Sequence, residues 1–190
     1  MAEHRIGRQY KSESPVDRLA AEILRAFGRA DVAFLPGLGF GVTLQPGPVT
    51  REMIVDLFPH ATTVVHETLS GAQILAVLEQ SATNLRPRDD LDRVGGLVQT
   101  AGMRWTADLT RPIGHRIREV AIGGAPLDPT RRYRVMTTGG LLQGTHRYVS
   151  FQQGDNIERD ELPFADVLER GLRAMKRVRA PAMRDITVIR

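Results

Sequence analysis

Hydrophobic residues along the chain switch repeatedly between helical and strand periodicity, which predicts helices and strands in alternation. Apolar residues at helical spacing predict a helix over 16–27, one after a Thr50 cap, a long one after a Ser70 cap, and a last one over 164–175. Runs of apolar and β-branched residues predict strands over 32–35, 62–68, 117–122, 133–138 and 186–189. We therefore expect an α+β fold in which helices pack on a mixed sheet.

Two polar segments stand apart from this pattern. Residues 1–13 predict a polar arm, and residues 142–158, rich in Gly, Gln, Ser and His, predict a long surface loop of the kind that is often functional. No repeat or linker interrupts residues 14–190, so we expect them to form a single domain. Trp105 is expected in its core or at an interface with another domain.

Composition narrows the chemistry that this domain can perform. The chain has 190 residues, of which 42% are hydrophobic and 25% charged, and it contains no cysteine. Disulfides, thiolate metal sites and a cysteine nucleophile are therefore excluded. A net charge of +4 permits an anionic ligand without requiring nucleic acid. The first eight residues are charged throughout, so we expect neither a secretory signal nor a membrane span.

Few residues stand out as candidates for chemistry when the sequence is taken alone. His60, His66, His115 and His146 lack the spacing of a metal site, so no metal is expected in this chain. His146-Arg147-Tyr148 is the most polar group, and its alternative interpretation is a solvated loop tip.

Other patterns favour a structural interpretation. The glycines of the 36–41 loop are a weak phosphate signal, because no helix follows directly. Ser70 is expected to cap a helix rather than to act as a nucleophile, since no Gly-x-Ser-x-Gly element is present. Arg170, Arg173 and Arg177 share a helix face that could meet an acidic partner, but a solvated face is favoured and nucleic acid is not expected.

An ordered set of short motifs carries a resemblance to a known family. Ala30-Asp31-Val32-Ala33-Phe34-Leu35 precedes a glycine-rich loop, and Leu69-Ser70-Gly71-Ala72-Gln73-Ile74 opens the long helix. Ile122-Gly123-Gly124-Ala125-Pro126-Leu127-Asp128 and Tyr133-Arg134-Val135-Met136-Thr137-Thr138 follow. Together these motifs resemble the C-terminal domain of the 5′-nucleotidase family over about residues 14–185. Within it, the stretches 35–47, 95–108 and 177–181 are most similar to the Sox-type thiosulfohydrolase branch.

The resemblance implies a division of labour between two domains. In that family an N-terminal metallophosphoesterase domain holds two divalent metals and performs hydrolysis, whereas the C-terminal domain binds the substrate. This chain resembles only the second domain, so the resemblance implies no catalytic residue and no cofactor within it. Its implied partner is a metallophosphoesterase domain or subunit, and residues 1–13 would be the remnant of a linker. The family is commonly exported, which implies a periplasmic location, but the chain shows no signal and its compartment stays open.

The family's recognition positions are altered in this sequence. Its first loop corresponds to Gly37, Gly39, Phe40 and Gly41, but the arginine that binds the substrate anion is missing, and the branch's own arginine falls at Gly39. The two positions that stack on the base correspond to His60 and Gly140. The family's Gly-Gly-Asp-Gly-Tyr becomes Gly144-Thr145-His146-Arg147-Tyr148, which replaces the acidic ribose ligand with His146.

These comparisons give a set of candidate substrate-binding residues and two functional hypotheses. The candidates are Gly37, Gly39, Phe40, Gly41, His60, Gly140, His146, Arg147 and Tyr148. The first hypothesis is the substrate-binding domain of a hydrolase that cleaves nucleotides or sulfur esters together with a metal-bearing partner. The alternative is a stand-alone binding or assembly module without catalysis. The altered positions argue against standard nucleotide binding and leave room for another small anionic ligand.

Overall fold

The computed structural model describes residues 1–39 and 43–190, which form helices and strands in alternation. The helices are α1 (Pro15–Phe27), α2 (Arg51–Leu57), α3 (Gly71–Leu85), α4 (Gly139–Leu142) and α5 (Phe164–Ala174). The strands are β1 (Val32–Leu35), β2 (Thr63–Ser70), β3 (Gln99–Ala101), β4 (Met103–Asp108), β5 (Ile117–Ile122), β6 (Ala125–Pro126), β7 (Arg132–Thr138), β8 (Asp155–Pro163) and β9 (Ile186–Ile189). The α+β class and the mixed sheet are confirmed.

Two sheets organise these strands. The larger sheet has the order β3-β1-β7-β2-β8, in which β1 and β7 run parallel and the other neighbours antiparallel. The smaller sheet has the order β6-β5-β4-β9, in which β4 and β9 run parallel. The longest ladder joins β2 to β7 and pairs seven residues on each strand, from Val64 with Thr138 to Ser70 with Arg132.

Apolar clusters cover both faces of the larger sheet. On one face, α1, α2 and α5 bury Leu24, Ile54 and Val167 against residues that include Val64. On the other face, α3 packs against Leu69 and against the smaller sheet through Trp105, which is fully buried and donates to Thr100 Oγ1 over 3.0 Å. Because apolar surface is removed from water on both faces, the middle strands are held firmly in register.

The N-terminal segment lies against the domain. Ala2 and Ile6 are buried, and Ile6 exchanges backbone hydrogen bonds of 2.9 and 3.0 Å with Leu44. The neighbouring Arg18 guanidinium is buried and pairs with Glu13 at 3.2 Å and with Asp185, which lies next to β9. Arg18 thereby ties the segment before α1 and the segment before β9 to this helix. The interpretation of residues 1–13 as a linker remnant stays a prediction.

The helix-capping residues predicted from the sequence are confirmed, whereas the long loop predicted from it is not. Thr50 and Ser70 accept hydrogen bonds from Met53 N and Gln73 N at the helix starts, and Ser70 forms a full capping box. The long surface loop predicted over 142–158 is wrong. Tyr148 and Phe151 are buried there, and β8 already begins at Asp155. Two aromatic side chains buried among polar neighbours hold this segment against α3.

Within the residues described, no helix is long and apolar enough to cross a membrane.

One carboxyl group is buried within the β2–β7 ladder. Glu67 is 3% exposed, and neither of its oxygens meets a hydrogen-bond partner in the described structure. A methyl group built at Gly154 would lie 2.3 Å from one of these oxygens, so the chain passes Glu67 closely. Burial raises the pKa of Glu67 to about 8. The folded protein therefore holds this carboxyl protonated at neutral pH.

A pH dependence of stability follows from this group. The pKa of Glu67 is raised on folding, so its proton is retained in the folded state and lost in the unfolded state between about pH 4.5 and pH 8. Stability should fall across that window by up to roughly 1.4 kcal/mol per pH unit. We expect Glu67→Gln, which cannot ionise, to remove this decline. Urea unfolding of both proteins at pH 5 and pH 8 measures it, and a stability difference that does not change with pH would contradict it.

Candidate functional site

A cavity of about 700 Å³ opens at the end of the larger sheet, where β2 begins and β7 ends. The β2–β7 register places Thr63 and Gly139, the first residue of α4, side by side at its base. Apolar side chains form most of the wall: Leu35, Leu38, Phe58, Ala61, Pro163 and Phe164. The polar groups that complete it are Thr62, Thr63, Thr138, Gln143 and Thr145, together with His60, His146 and Arg159. A small organic ligand would fit a cavity of this size and character.

The structure brings together three of the residues expected from sequence. His60, Gly140 and His146 all line the cavity, although they come from three separate segments of the chain. At Gly140 a built methyl group would meet nothing closer than Thr145 Oγ1, at 3.6 Å. A small side chain could therefore be accommodated at this position among the described residues. Gly140 itself contributes no side chain to the cavity.

Two of the loop glycines have a packing role and do not line the cavity. Gly96 N donates a hydrogen bond to Gly37 O over 3.2 Å. A methyl group built on Gly37 would lie 2.3 Å from Leu97 O. A methyl group on Gly39 would lie 3.2 Å from the Tyr10 ring. Gly37 thus permits two loops to touch backbone to backbone. Phe40 and Gly41, the other two candidates in this loop, lie outside the described residues.

The 146–148 segment is held in an uncommon backbone conformation beside the cavity. His146 and Arg147 have φ values of 57° and 65°, which non-glycine residues rarely adopt. Asn84 Nδ2 donates to His146 O over 2.9 Å, and Arg147 pairs with Asp92 at 3.0 Å. Tyr148 is buried, which raises its pKa to about 12. These anchors direct His146 toward the cavity, whereas Arg147 and Tyr148 serve to hold the segment in place.

The imidazole of His146 is half-buried and neutral. Burial lowers the pKa of His146, and its Nδ1 atom is buried without a hydrogen-bond partner among the described residues. A glycine is needed opposite it, since a methyl group on Gly95 would come within 2.4 Å of the ring. The ring therefore adds no positive charge to the cavity at neutral pH.

Arg159 is the cavity residue that the sequence analysis missed. It lies on β8, where the ladder with β2 is irregular between Thr63 and Val65: Thr63 pairs with Pro163 and Val65 with Arg159. The extra residues include Asp160, whose carboxylate accepts from Leu162 N over 2.9 Å. Such a bulge changes the direction of neighbouring side chains. No pattern in the polar segment 155–161 marked Arg159, because its neighbours are also charged.

The described residues offer no ready ligand set for a metal. Among residues 1–39 and 43–190, no group of three His, Asp or Glu side chains is arranged to hold a metal ion. His60 and His146 share the cavity with hydroxyl groups and one guanidinium, and none of these supplies a carboxylate. Metal-dependent chemistry at this cavity would therefore need ligands from elsewhere.

Comparison with known proteins identifies the family to which this domain is related. The family model described as "5′-nucleotidase, C-terminal domain" matches residues 2–153. The chain belongs to this family. The family resemblance drawn from the sequence motifs is thereby confirmed, with the fold that it implied.

Relatives of known structure share the fold over nearly the whole chain. A 5′-nucleotidase precursor from Thermus thermophilus superimposes with a TM-score of 0.87 at 25% identity, covering 99% of this chain and 38% of its own. The sulfate thiohydrolase SoxB of the same species gives 0.86 at 31% identity, covering 99% of this chain and 34% of its own. The 190 residues thus correspond to about a third of each structure.

Relatives known from sequence are longer still. The trifunctional nucleotide phosphoesterase protein YfkN of Bacillus subtilis is 27% identical over 147 residues, which is 75% of this chain and 10% of YfkN. The protein UshA of Yersinia enterocolitica is 29% identical over 122 residues, which is 19% of its length. This chain therefore matches only one part of these relatives.

The two kinds of glycine at the site should respond differently to substitution. Gly37→Ala forces a methyl group against the Leu97 backbone, so we expect the free energy of unfolding to fall by roughly 1–3 kcal/mol. Gly140→Ala places its methyl group in ordinary contact with Thr145 Oγ1, at 3.6 Å, and should change the free energy of unfolding by less than about 1 kcal/mol, with a stabilising sign favoured. Urea unfolding of the two variants measures both effects, and equal losses would show that the packing argument is wrong.

Adenosine should bind weakly to this cavity. Among the described residues, Phe58 and Phe164 are the phenyl rings of its wall, and they lie edge to face at 5.1 Å with 73° between their planes, so they form no slot between parallel rings. We expect a Kd for adenosine above roughly 1 mM by calorimetry. Introducing rings at both altered positions, with His60→Phe and Gly140→Phe together, should strengthen binding at least roughly tenfold, since stacking on one base contributes about 1–3 kcal/mol. Micromolar affinity of the unchanged chain would refute this prediction.

Proposed function

We propose that this chain is the substrate-binding domain of a 5′-nucleotidase- or thiosulfohydrolase-like hydrolase. The cavity at the β2–β7 end carries the proposal. It has the volume of a small-molecule site, and His60, Gly140 and His146 line it at the positions where the family resemblance places substrate contacts. The solved relatives that share the fold are named as a nucleotidase and a thiohydrolase.

Hydrolysis by this domain would depend on a metallophosphoesterase domain that supplies two divalent metals. The described residues do not form such a site, so this chain's contribution is to bind and orient. Bound metals in the partner domain would activate water and stabilise charge on the reacting oxygens. Within this chain, Leu38, Phe58 and Phe164 exclude water from one side of the ligand. Arg159 and the neutral His146 fix its polar groups.

The alternative is a stand-alone binding or assembly module without catalysis. The exposed His60 and the lack of a side chain at Gly140 favour it, because both residues stand where the family resemblance places the aromatic residues that read a nucleoside. The two hypotheses share the cavity and differ only in whether a metal-bearing partner acts on the bound ligand.

The isolated chain should therefore show no metal-dependent hydrolysis. We expect no turnover of AMP or 4-nitrophenyl phosphate above background in the presence of Mn²⁺, because no carboxylate and histidine set holds a metal among the described residues. Absorbance at the nitrophenol band and release of phosphate measure this directly. Robust Mn²⁺-dependent turnover by the pure chain would contradict both hypotheses.

Recombination with a partner separates the two hypotheses. A pull-down from the source organism that recovers a two-metal phosphoesterase, followed by Mn²⁺-dependent hydrolysis that neither protein shows alone, supports the hydrolase. Arg159→Glu should then strongly lower that activity by placing a negative charge at the cavity, whereas the matched Arg104→Glu, on β4 away from the cavity, should retain it. Equal activity of both variants in the mixture would remove the cavity from the reaction. Ligand binding that never leads to hydrolysis favours the stand-alone module.

A further inference from the structure

A second cavity lies at the C-terminal end of α3, apart from the cavity described above. It measures about 280 Å³ and shares no lining residue with the first cavity. Its lining residues are Lys11, Leu85, Arg86, Leu109 and Arg190. Leu85 and Leu109 are buried and form an apolar floor, whereas the three cationic residues are exposed around it. We call it the basic cavity.

Neutral backbone groups hold two of these cationic side chains in place. Arg190 Nη2 donates to Lys11 O over 3.1 Å, which joins the end of β9 to the N-terminal segment. Arg86 Nη1 donates to Leu109 O over 3.3 Å. A guanidinium has several N–H donors, so most of them remain for a ligand. Because a carbonyl is a neutral acceptor, the positive charge of each guanidinium stays at the cavity.

No carboxylate neutralises this charge within the part of the chain that the structure describes. Each carboxylate that is close to the basic cavity in sequence has a partner elsewhere: Glu13 and Asp185 with Arg18, Asp89 with Leu91 N, Asp90 with Arg93, and Asp108 with Arg118. The α-carboxylate of Arg190 forms no ion pair with the described side chains either. The three cations therefore face the solvent without a counterion among the described residues.

A buried arginine adds positive charge behind the cavity. Arg116 is 6% exposed, and its guanidinium donates to three backbone carbonyls, namely Ala82 O at 3.1 Å, Arg86 O at 2.6 Å and Arg111 O at 3.1 Å. The pKa of Arg116 is lowered, first by burial and then by the charge of Arg86, whereas Glu79 acts in the opposite direction and least. Arg86 and Arg116 thus repel each other, and an anion beside Arg86 would offset this repulsion.

A group of exposed cations favours an anion that carries several charges. In water, two unit charges about 4 Å apart attract each other by roughly 1 kcal/mol, and salt screens this attraction. A monovalent anion therefore gains little at such a site. An anion with adjacent charges contacts several cations at once, while its freedom of motion is lost only once. A cavity of about 280 Å³ lies just below the usual range of ligand cavities, so the anion is small.

We propose that the basic cavity binds a small multivalent oxoanion, in which two or more adjacent phosphate- or carboxylate-type charges contact Lys11, Arg86 and Arg190 together. The site goes beyond the proposed function, because it is separate from the cavity at the β2–β7 end. A bound anion would join the segment before α1, the end of α3 and the end of β9, so it should also stabilise the fold.

Inorganic pyrophosphate and inorganic phosphate are a matched pair of probes, because pyrophosphate joins two phosphate groups and carries more charge. We expect pyrophosphate to bind with a Kd below about 1 mM at low salt, and at least roughly tenfold more tightly than phosphate. Calorimetry of the 190-residue chain in metal-free buffer measures both affinities. Binding should weaken when NaCl is raised from about 20 mM to about 200 mM. Backbone amide shifts should be largest near Leu85 and Leu109.

Three variants locate the bound anion. Lys11→Gln and Arg86→Gln should each weaken pyrophosphate binding by roughly threefold to tenfold, because each removes one of the contacting charges. Arg104→Gln is the matched control, since Arg104 is an exposed arginine at the opposite end of β4 from Leu109 and should leave the affinity unchanged. The Lys11 side chain is exposed, so Lys11→Gln should keep the melting temperature of the unliganded chain.

The outcomes separate the basic cavity from other sites. Weaker binding in Lys11→Gln and Arg86→Gln, with full affinity in Arg104→Gln, supports the inference. Equal affinities for the two probes, no binding below about 1 mM, or equal losses in all three variants would overturn it. Loss of binding in Arg159→Gln would assign pyrophosphate to the first cavity and overturn it as well. Failure of the basic cavity leaves the proposed function standing, because the two sites share no residue.

Discussion

The pairing of β2 with β7 is the constraint on which the rest of the structure depends. Seven residue pairs join the two strands, and apolar clusters cover the ladder from both sides, with Val64 facing one cluster and Leu69 the other. A one-residue slip would exchange these faces and expose both clusters. The end of the ladder therefore cannot shift, and Thr63 and Gly139 keep their places at the base of the cavity. The ladder is stable enough to retain the buried carboxyl of Glu67.

The interior and the edge of the larger sheet contribute different properties to the cavity. The inner strands β1, β2 and β7 shape the cavity through residues at their ends, namely Leu35, Thr63 and Thr138. The charge comes from β8 at the edge, where an irregular register is tolerated because only one neighbouring strand must be matched. Shape is therefore fixed by buried packing, whereas the charged group rests on a bulge that is free to change.

The sequence was informative where local rules decide the structure, and failed where distant contacts do. Helix starts at Thr50 and Ser70 follow from capping side chains, so they could be predicted. The burial of Tyr148 could not, because its polar neighbours carry no periodicity and its environment comes from α3, far earlier in the chain. Arg159 was missed for a related reason. Its place at the cavity depends on the register between two strands, which no local pattern in 155–163 encodes.

The glycines show why family membership and ligand specificity separate in this domain. Gly37 and Gly96 bring two loops into backbone contact, and a side chain on either would collide with Leu97 or with the Tyr10 carbonyl. Such positions are constrained by the fold whatever the ligand is, so a retained glycine framework reports the architecture. Gly140 is different, because a methyl group there would make only an ordinary contact with Thr145. A small substitution at Gly140 therefore changes the cavity without a backbone collision, so specificity can change at this position while the fold is preserved.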